Sequence, residues 1–137
     1  MQSAQLDKLP GFVERRRHNF RRFLDGLGSL QECFILPVID PRANPSPFGF
    51  PITVREGIDR NRIIRELEEA RIETRLVFGG HILRQPGFQH TPRRVHGTLE
   101  QADLIMRNTF FIGVYPGITD EMADYMIEVL SRVRKLA

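Results

Sequence analysis

Four histidines, one cysteine and two lysines are the side chains of this sequence best suited to acid–base, nucleophilic or metal chemistry. Their spacing does not favour it. His18 stands among Arg15, Arg16, Arg17, Arg21 and Arg22 and reads as a surface residue of a charged helix. His81, His90 and His96 share one segment, but spacings of nine and six residues match no usual ligand pattern. A lone Cys33 excludes an internal disulfide and any Cys-based zinc or iron–sulfur site within one chain. It has no base nearby in sequence and reads as a small buried hydrophobe. Lys8 and Lys135 each fall on a terminal helix, where a cofactor Schiff base is not expected. Neither a GxSxG elbow nor a GxxxxGKS/T phosphate loop occurs. The stretch Arg75-Leu-Val-Phe-Gly-Gly-His-Ile-Leu-Arg84 offers more. Two glycines after a strand let the backbone come close to a partner. Arginine pairs well with phosphate or carboxylate, which makes Arg75 and Arg84 candidate contacts. The same residues also suit a plain turn with surface arginines, and spacing alone leaves both readings open.

These residues need elements to position them. Leu6, Leu9, Val13, Phe20, Phe23, Leu24 and Leu27 recur at close to a helical period. Pro10 marks a kink or a second start, and Gly26 and Gly28 mark the stop. Phe34–Ile39 reads as an edge strand because Pro37 interrupts it. Pro41–Pro47 is a loop. In the next strand, Phe48, Phe50, Ile52 and Val54 alternate with smaller or polar residues. Asp59 caps a helix running to Ala70, with Ile63, Ile64 and Leu67 as its stripe. Ile72–Phe78 is a strand, ended by Gly79 and Gly80. A loop from His81 to Gly97 follows, long for a compact domain and of a length that is often functional. Thr98 caps a helix through Met106, with Leu99, Ala102, Ile105 and Met106 inward. Phe110–Val114 is an apolar strand, and Pro116-Gly117 is a turn. Thr119 caps the last helix. Asp120 and Glu121 suit its start, Arg132, Arg134 and Lys135 its end, and Met122, Met126, Val129, Leu130 and Val133 pack inward. The order predicts an α+β fold, a small, mainly antiparallel sheet with helices packed on one face.

Composition narrows the function classes. A chain of 137 residues, 41% hydrophobic and 27% charged, is an ordinary globular domain with room for a core. Its apolar runs are too short to span a bilayer. No signal core opens the chain, so the cytoplasm is the default location. The net charge of +3 comes mainly from the arginine cluster near the N-terminus. That cluster reads as a mostly solvated helix face. No aromatic residues interleave with it on a strand, which argues against single-stranded nucleic acid as a partner.

Four motifs occur in order: Phe48-Gly-Phe-Pro-Ile-Thr-Val, Thr74-Arg-Leu-Val-Phe-Gly-Gly, Arg84-Gln-Pro-Gly-Phe and Asn108-Thr-Phe-Phe-Ile-Gly-Val-Tyr-Pro-Gly-Ile-Thr. Together they resemble the C-terminal part of sugar-nucleotide 4-keto-6-deoxyhexose 3-dehydratases. These form a subgroup of the DegT/DnrJ/EryC1/StrS aminotransferase family. The opening Gln5-Leu-Asp-Lys-Leu-Pro-Gly-Phe-Val-Glu-Arg-Arg resembles the family's inter-domain helix. The likeness covers nearly the whole chain.

The resemblance implies an inter-domain helical segment at 1–28 and a small C-terminal domain at 29–137. It also implies a large pyridoxal-phosphate-binding domain that lies outside this chain, which would then be a split or truncated product of a longer gene. The parent would use pyridoxal or pyridoxamine phosphate on a nucleotide-linked sugar, in deoxysugar and lipopolysaccharide O-antigen synthesis, as a homodimer. The cofactor loop, the acid facing the pyridine nitrogen and the Schiff-base position would all belong to the large domain. In the 3-dehydratases a histidine stands at that position in place of lysine. No cofactor or catalytic residue is expected in this chain, which should be inactive alone. Phe48 stands where the family's aminotransferases usually carry a histidine, and the Phe-Gly-Gly at 78–80 also resembles the dehydratases. Phe48, Phe78, Gly79 and Gly80 then become candidates for the active-site mouth, with Arg75, His81 and Arg84 as candidate substrate or interface contacts. By composition alone, Phe48 would be a core aromatic. Two rival readings are a sugar aminotransferase domain and a free-standing interaction module that uses the arginine-rich helix.

Overall fold

A computed structural model describes residues 6–133. Helix α1 spans Leu9–Leu27, with Pro10 in its first turn, where the missing N–H costs nothing. Strand β1 covers Phe34–Ile35 and β2 covers Gly49–Val54. Helix α2 is Arg60–Glu69 and strand β3 is Thr74–Leu76. Helix α3 is Glu100–Asn108, strand β4 is Thr109–Gly113, and helix α4 is Asp120–Val133. The strands form one antiparallel sheet in the order β1-β2-β4-β3. The α+β expectation therefore holds.

The period-two pattern selects the buried face. Phe50, Ile52 and Val54 from β2 and Phe110 and Ile112 from β4 are fully buried. Phe20, Phe23 and Leu27 of α1, Ile63 and Leu67 of α2, and Val129, Leu130 and Val133 of α4 complete that core. Cys33 is buried within it. The Asp59 side chain accepts the Asn61 N–H at 2.8 Å, the cap predicted for α2. Thr119 Oγ1 accepts the Met122 N–H at 3.3 Å at the start of α4. Arg134 and Lys135 lie outside the described residues.

Several boundaries differ from the sequence reading, each for a local reason. β1 stops at Ile35 because Pro37 cannot donate to a ladder. β3 is shorter at both ends because the backbone there bonds locally. The Ile72 N–H goes to Leu67 O at 2.8 Å, and the Phe78 N–H goes to Leu76 O at 2.8 Å. Gly26 does not stop α1. It sits inside the helix, where a Cβ would stand 2.5 Å from Ile127 Cδ1, so its absence lets α1 and α4 approach. Thr98 does not cap α3; Leu99, at φ 57°, occupies that place without a side-chain cap. Gly97, at φ 73°, turns the chain before Thr98 and leaves Thr98 outside the helix. Leu6 and Leu9 are exposed rather than part of the stripe, and so is Met122.

The arginine cluster is also not a simple solvated face. Arg15 donates to Ile118 O at 2.8 Å and to Asp120 at 2.7 Å. Arg22 chelates Asp124, with Nη2 at 2.7 Å from both carboxylate oxygens. His18 Nε2 lies 3.0 Å from Asp120 Oδ1. Arg17 donates to the carbonyls of Asn44 and Pro45, pinning the proline-rich loop. The cluster ties α1 to α4 and to that loop.

One consequence is acid sensitivity. Hydrogen bonds from His18 and then Arg15 hold the Asp120 carboxyl below its ordinary pKa. A depressed folded-state pKa contributes stability that is present above the unfolded value and is lost as pH falls through the folded one. Asp120→Asn should therefore melt below the native chain at neutral pH. The gap should begin to narrow as pH falls below about 4, the ordinary aspartate value, and should close only below the depressed folded value. Melting curves from neutral pH to pH 3 check this; a constant gap would remove Asp120 from the link.

Candidate functional site

Phe48 precedes β2 but does not join the core. It is 59% exposed, and its ring meets Phe111 edge-on with centroids 5.5 Å apart. Phe111 belongs to the sheet face opposite the core and lies across Gly49, where a Cβ would stand 2.5 Å from the ring's Cδ2. The Phe-Gly-Phe spacing thus has a mechanical basis: Gly49 makes room for the ring that supports Phe48. Phe78 completes the group, 6.4 Å from Phe48 by centroids and 81% exposed. Its backbone has φ 44°, a strained value for a bulky residue.

The segment after Phe78 folds onto α3. Gly80, at φ 62°, packs directly against Met106. His81 is only 6% exposed. Its Nδ1 accepts the Leu83 N–H at 3.1 Å, which places the ring proton on Nε2 in the neutral form. Nε2 in turn lies 4.0 Å from Asp103 Oδ1. Arg84 chelates Asp103 through Nε at 3.0 Å and Nη2 at 2.8 Å. That fork holds the Asp103 carboxyl below its ordinary pKa. The Gln85 amide donates to Gly79 O and closes the turn. Beyond it, Arg93 donates to the carbonyls of Phe88, Gln89 and Thr91, so the long loop is tied to itself.

The seven candidate residues therefore separate. Phe48 and Phe78 meet on the outer sheet face, with Gly79 and Gly80 continuing from Phe78. His81 and Arg84 gather about Asp103. Arg75 stands apart. It sits on the edge strand opposite Phe111, and its guanidinium pairs with Glu73. It lines an open groove of about 710 Å³ with Phe111, Tyr115, Met122 and Tyr125.

Asp103 was missed in the sequence. The expected inner face of α3 was Leu99, Ala102, Ile105 and Met106. The helix is instead rotated so that Ile105 is exposed and the Asp103 side chain is only 18% exposed. A carboxylate beside the apolar stripe, nineteen residues from Arg84, was the available signal. Among the described residues, no group of three His, Cys, Asp or Glu side chains could hold a metal ion. No described helix is long and apolar enough to cross a membrane.

Comparison with known proteins places this geometry. The profile of the DegT/DnrJ/EryC1/StrS aminotransferase family matches residues 1–131. The chain belongs to that family. It is 45% identical over 126 residues to the lipopolysaccharide biosynthesis protein RfbH of Salmonella typhimurium, covering 90% of this chain and 29% of that protein. It is 42% identical over 130 residues to the dTDP-4-dehydro-2,6-dideoxy-D-glucose 3-dehydratase of Saccharopolyspora spinosa, covering 93% and 28%. A crystal structure of GDP-4-keto-6-deoxymannose-3-dehydratase with a trapped PLP-glutamate geminal diamine superposes with a TM-score of 0.83 at 28% identity, covering 93% and 33%. The chain thus spans about a third or less of the length of these relatives and corresponds to their C-terminal part.

Pyridoxal phosphate enzymes commonly hold the cofactor through a lysine Schiff base and a partner for its pyridine nitrogen. Among the described residues the one lysine, Lys8, is exposed at the N-cap of α1, and neither the aromatic group nor the Asp103 cluster contains a lysine.

Proposed function

We propose that this chain is the C-terminal domain of a pyridoxal- or pyridoxamine-phosphate-dependent 3-dehydratase acting on a nucleotide-linked 4-keto-6-deoxyhexose. The carrying observation is the 42% identity to a named 3-dehydratase along 93% of the chain. The Salmonella relative supports a place in lipopolysaccharide or other deoxysugar synthesis. In this reading the cofactor and the acid–base groups belong to the remainder of the enzyme, and the enzyme works as a homodimer in the cytoplasm. This domain supplies a lid. The exposed Phe48 and Phe78 line the mouth of the sugar-nucleotide site; Arg75 on the edge strand and the exposed Arg84 are candidate substrate or interface contacts, and the buried His81 supports the turn between them.

The test has two parts. The purified chain, incubated with pyridoxal phosphate and dialysed, should retain no cofactor absorbance. A retained band would overturn the division of labour. The DNA upstream of Met1 should encode an in-frame large domain with histidine at the Schiff-base position. Lysine there would make the parent an aminotransferase, as the family's name allows.

A further inference from the structure

The exposed Phe78 poses a physical problem. A left-handed backbone at a bulky aromatic costs on the order of 1–3 kcal/mol and persists only where the surroundings over-determine it. Among the described residues, its one ring–ring contact is the tilted one with Phe48, and the side chain is otherwise largely exposed. The compensation must come from the segment that follows. That segment is fastened to α3 at Gly80 against Met106, at His81 beside Asp103, and at Arg84 chelating Asp103. It is closed on itself by Leu83 N–H to His81 Nδ1 and by Gln85 to Gly79 O. Among the described residues, the Asp103 carboxylate chelates Arg84 and stands 4.0 Å from His81 Nε2.

We infer that Asp103 is the positioning residue for Phe78, fixing the aromatic wall of the sugar-nucleotide site through the His81–Arg84 turn. The inference rests on the proposed function and adds to it a residue outside the aromatic group. Asp103 touches no substrate in this arrangement. Its carboxylate neutralises Arg84 and holds that side chain along α3. It also faces the Nε2–H of His81, whose other nitrogen is committed to the Leu83 amide. The turn is then locked with one backbone geometry, and Phe78 is presented at the angle that geometry dictates. An aromatic fixed before binding avoids the ordering cost that a mobile one would incur. Arg107 on α3 also bears on Asp103 through space.

The experiment begins with this chain. In the native protein, the Phe48 and Phe78 rings should show a nuclear Overhauser contact, and the His81 nitrogen shifts should report the Nε2–H form. Asp103→Asn should lose the ring contact and speed Leu83 amide exchange by about tenfold or more, with the core amides unchanged. Arg84→Gln should do the same, and Asp103→Glu should recover part of the ring contact. In the intact gene product, Asp103→Asn should raise KM for the sugar nucleotide about threefold to tenfold, the range of one aromatic contact, with kcat little changed. Phe78→Ala should raise KM similarly, and the double variant should add nothing further. An unchanged ring contact in Asp103→Asn, or additive effects in the double variant, would overturn the positioning role and leave the proposed function standing. A Phe78→Ala enzyme with native KM would instead overturn the place given to Phe78 at the site, and this inference with it.

Discussion

Phe50→Ala is expected to destabilise the fold by about 3–5 kcal/mol, a large share of the roughly 5–15 kcal/mol available to a domain of this size. Phe50 is fully buried on a central strand. Its ring stands 4.9 Å from Phe20 and 5.6 Å from Phe23, and Ile112 is opposite it in register. Truncation would open a cavity where β2, β4 and α1 meet, and two of the three walls are backbone-anchored and slow to collapse inward. Urea unfolding followed by circular dichroism measures the loss. Phe48→Ala is the matched control, two residues earlier and largely exposed. It should cost about 1 kcal/mol, the value of one edge-on aromatic pair. A loss below about 1 kcal/mol at Phe50 would mean that the core is not organised around this ring.

The contrast between those two phenylalanines shows how far the sequence reading reaches. Alternation from Phe48 to Val54 identified the strand and placed Phe50, Ile52 and Val54 on one face. It could not place Phe48, because the alternation ends where the ladder ends and the side chain is free to swing onto Phe111. The Gly49 gap that permits this is visible only once β4 is paired alongside. The same limit applies to α3. A helical period gives a stripe to within about one residue, and a rotation of that size exchanged Ile105 for Asp103. The arginines of α1 looked solvated because their partners, Asp120 and Asp124, lie about a hundred residues away. Element types and the core were legible because they depend on near neighbours. The Asp103 cluster was not, because it exists only after the loop from His81 folds back.

That loop differs physically from the rest of the chain. Every residue from Pro86 to Thr98 is exposed, so little apolar burial holds it. Its docking depends on a few polar bonds and on one close backbone approach. Segments built this way open at much lower cost than the core. The lid role proposed above would call for that property, with the root fixed where it meets the sheet. The turn containing Phe78, Gly79 and Gly80 joins this loop to β3.

Gly80→Ala should therefore act far more strongly than Gly79→Ala, although the two glycines are adjacent. At Gly80 the backbone has φ 62°, where an L-residue costs about 1–2 kcal/mol. The new Cβ would also stand 2.7 Å from Met106 Cγ, 2.9 Å from its Cβ and 3.3 Å from its Cα. The first two atoms lie near the root of the Met106 side chain and the third is backbone, so relief requires α3 itself to move, at a further 1–3 kcal/mol or so. The two costs together come to about 2–5 kcal/mol, charged against the docking of the turn rather than the core. Leu83 amide exchange should quicken by about thirtyfold or more, and the ring contact between Phe48 and Phe78 should disappear. At Gly79 a Cβ would find only Gln85 side-chain atoms at 3.7 Å and beyond, an ordinary contact. Gly79→Ala should fall within about 0.5 kcal/mol of the native chain. A Gly-Gly pair that merely needed flexibility would respond alike at both positions, and equal effects would show that close approach to α3 does not set the turn.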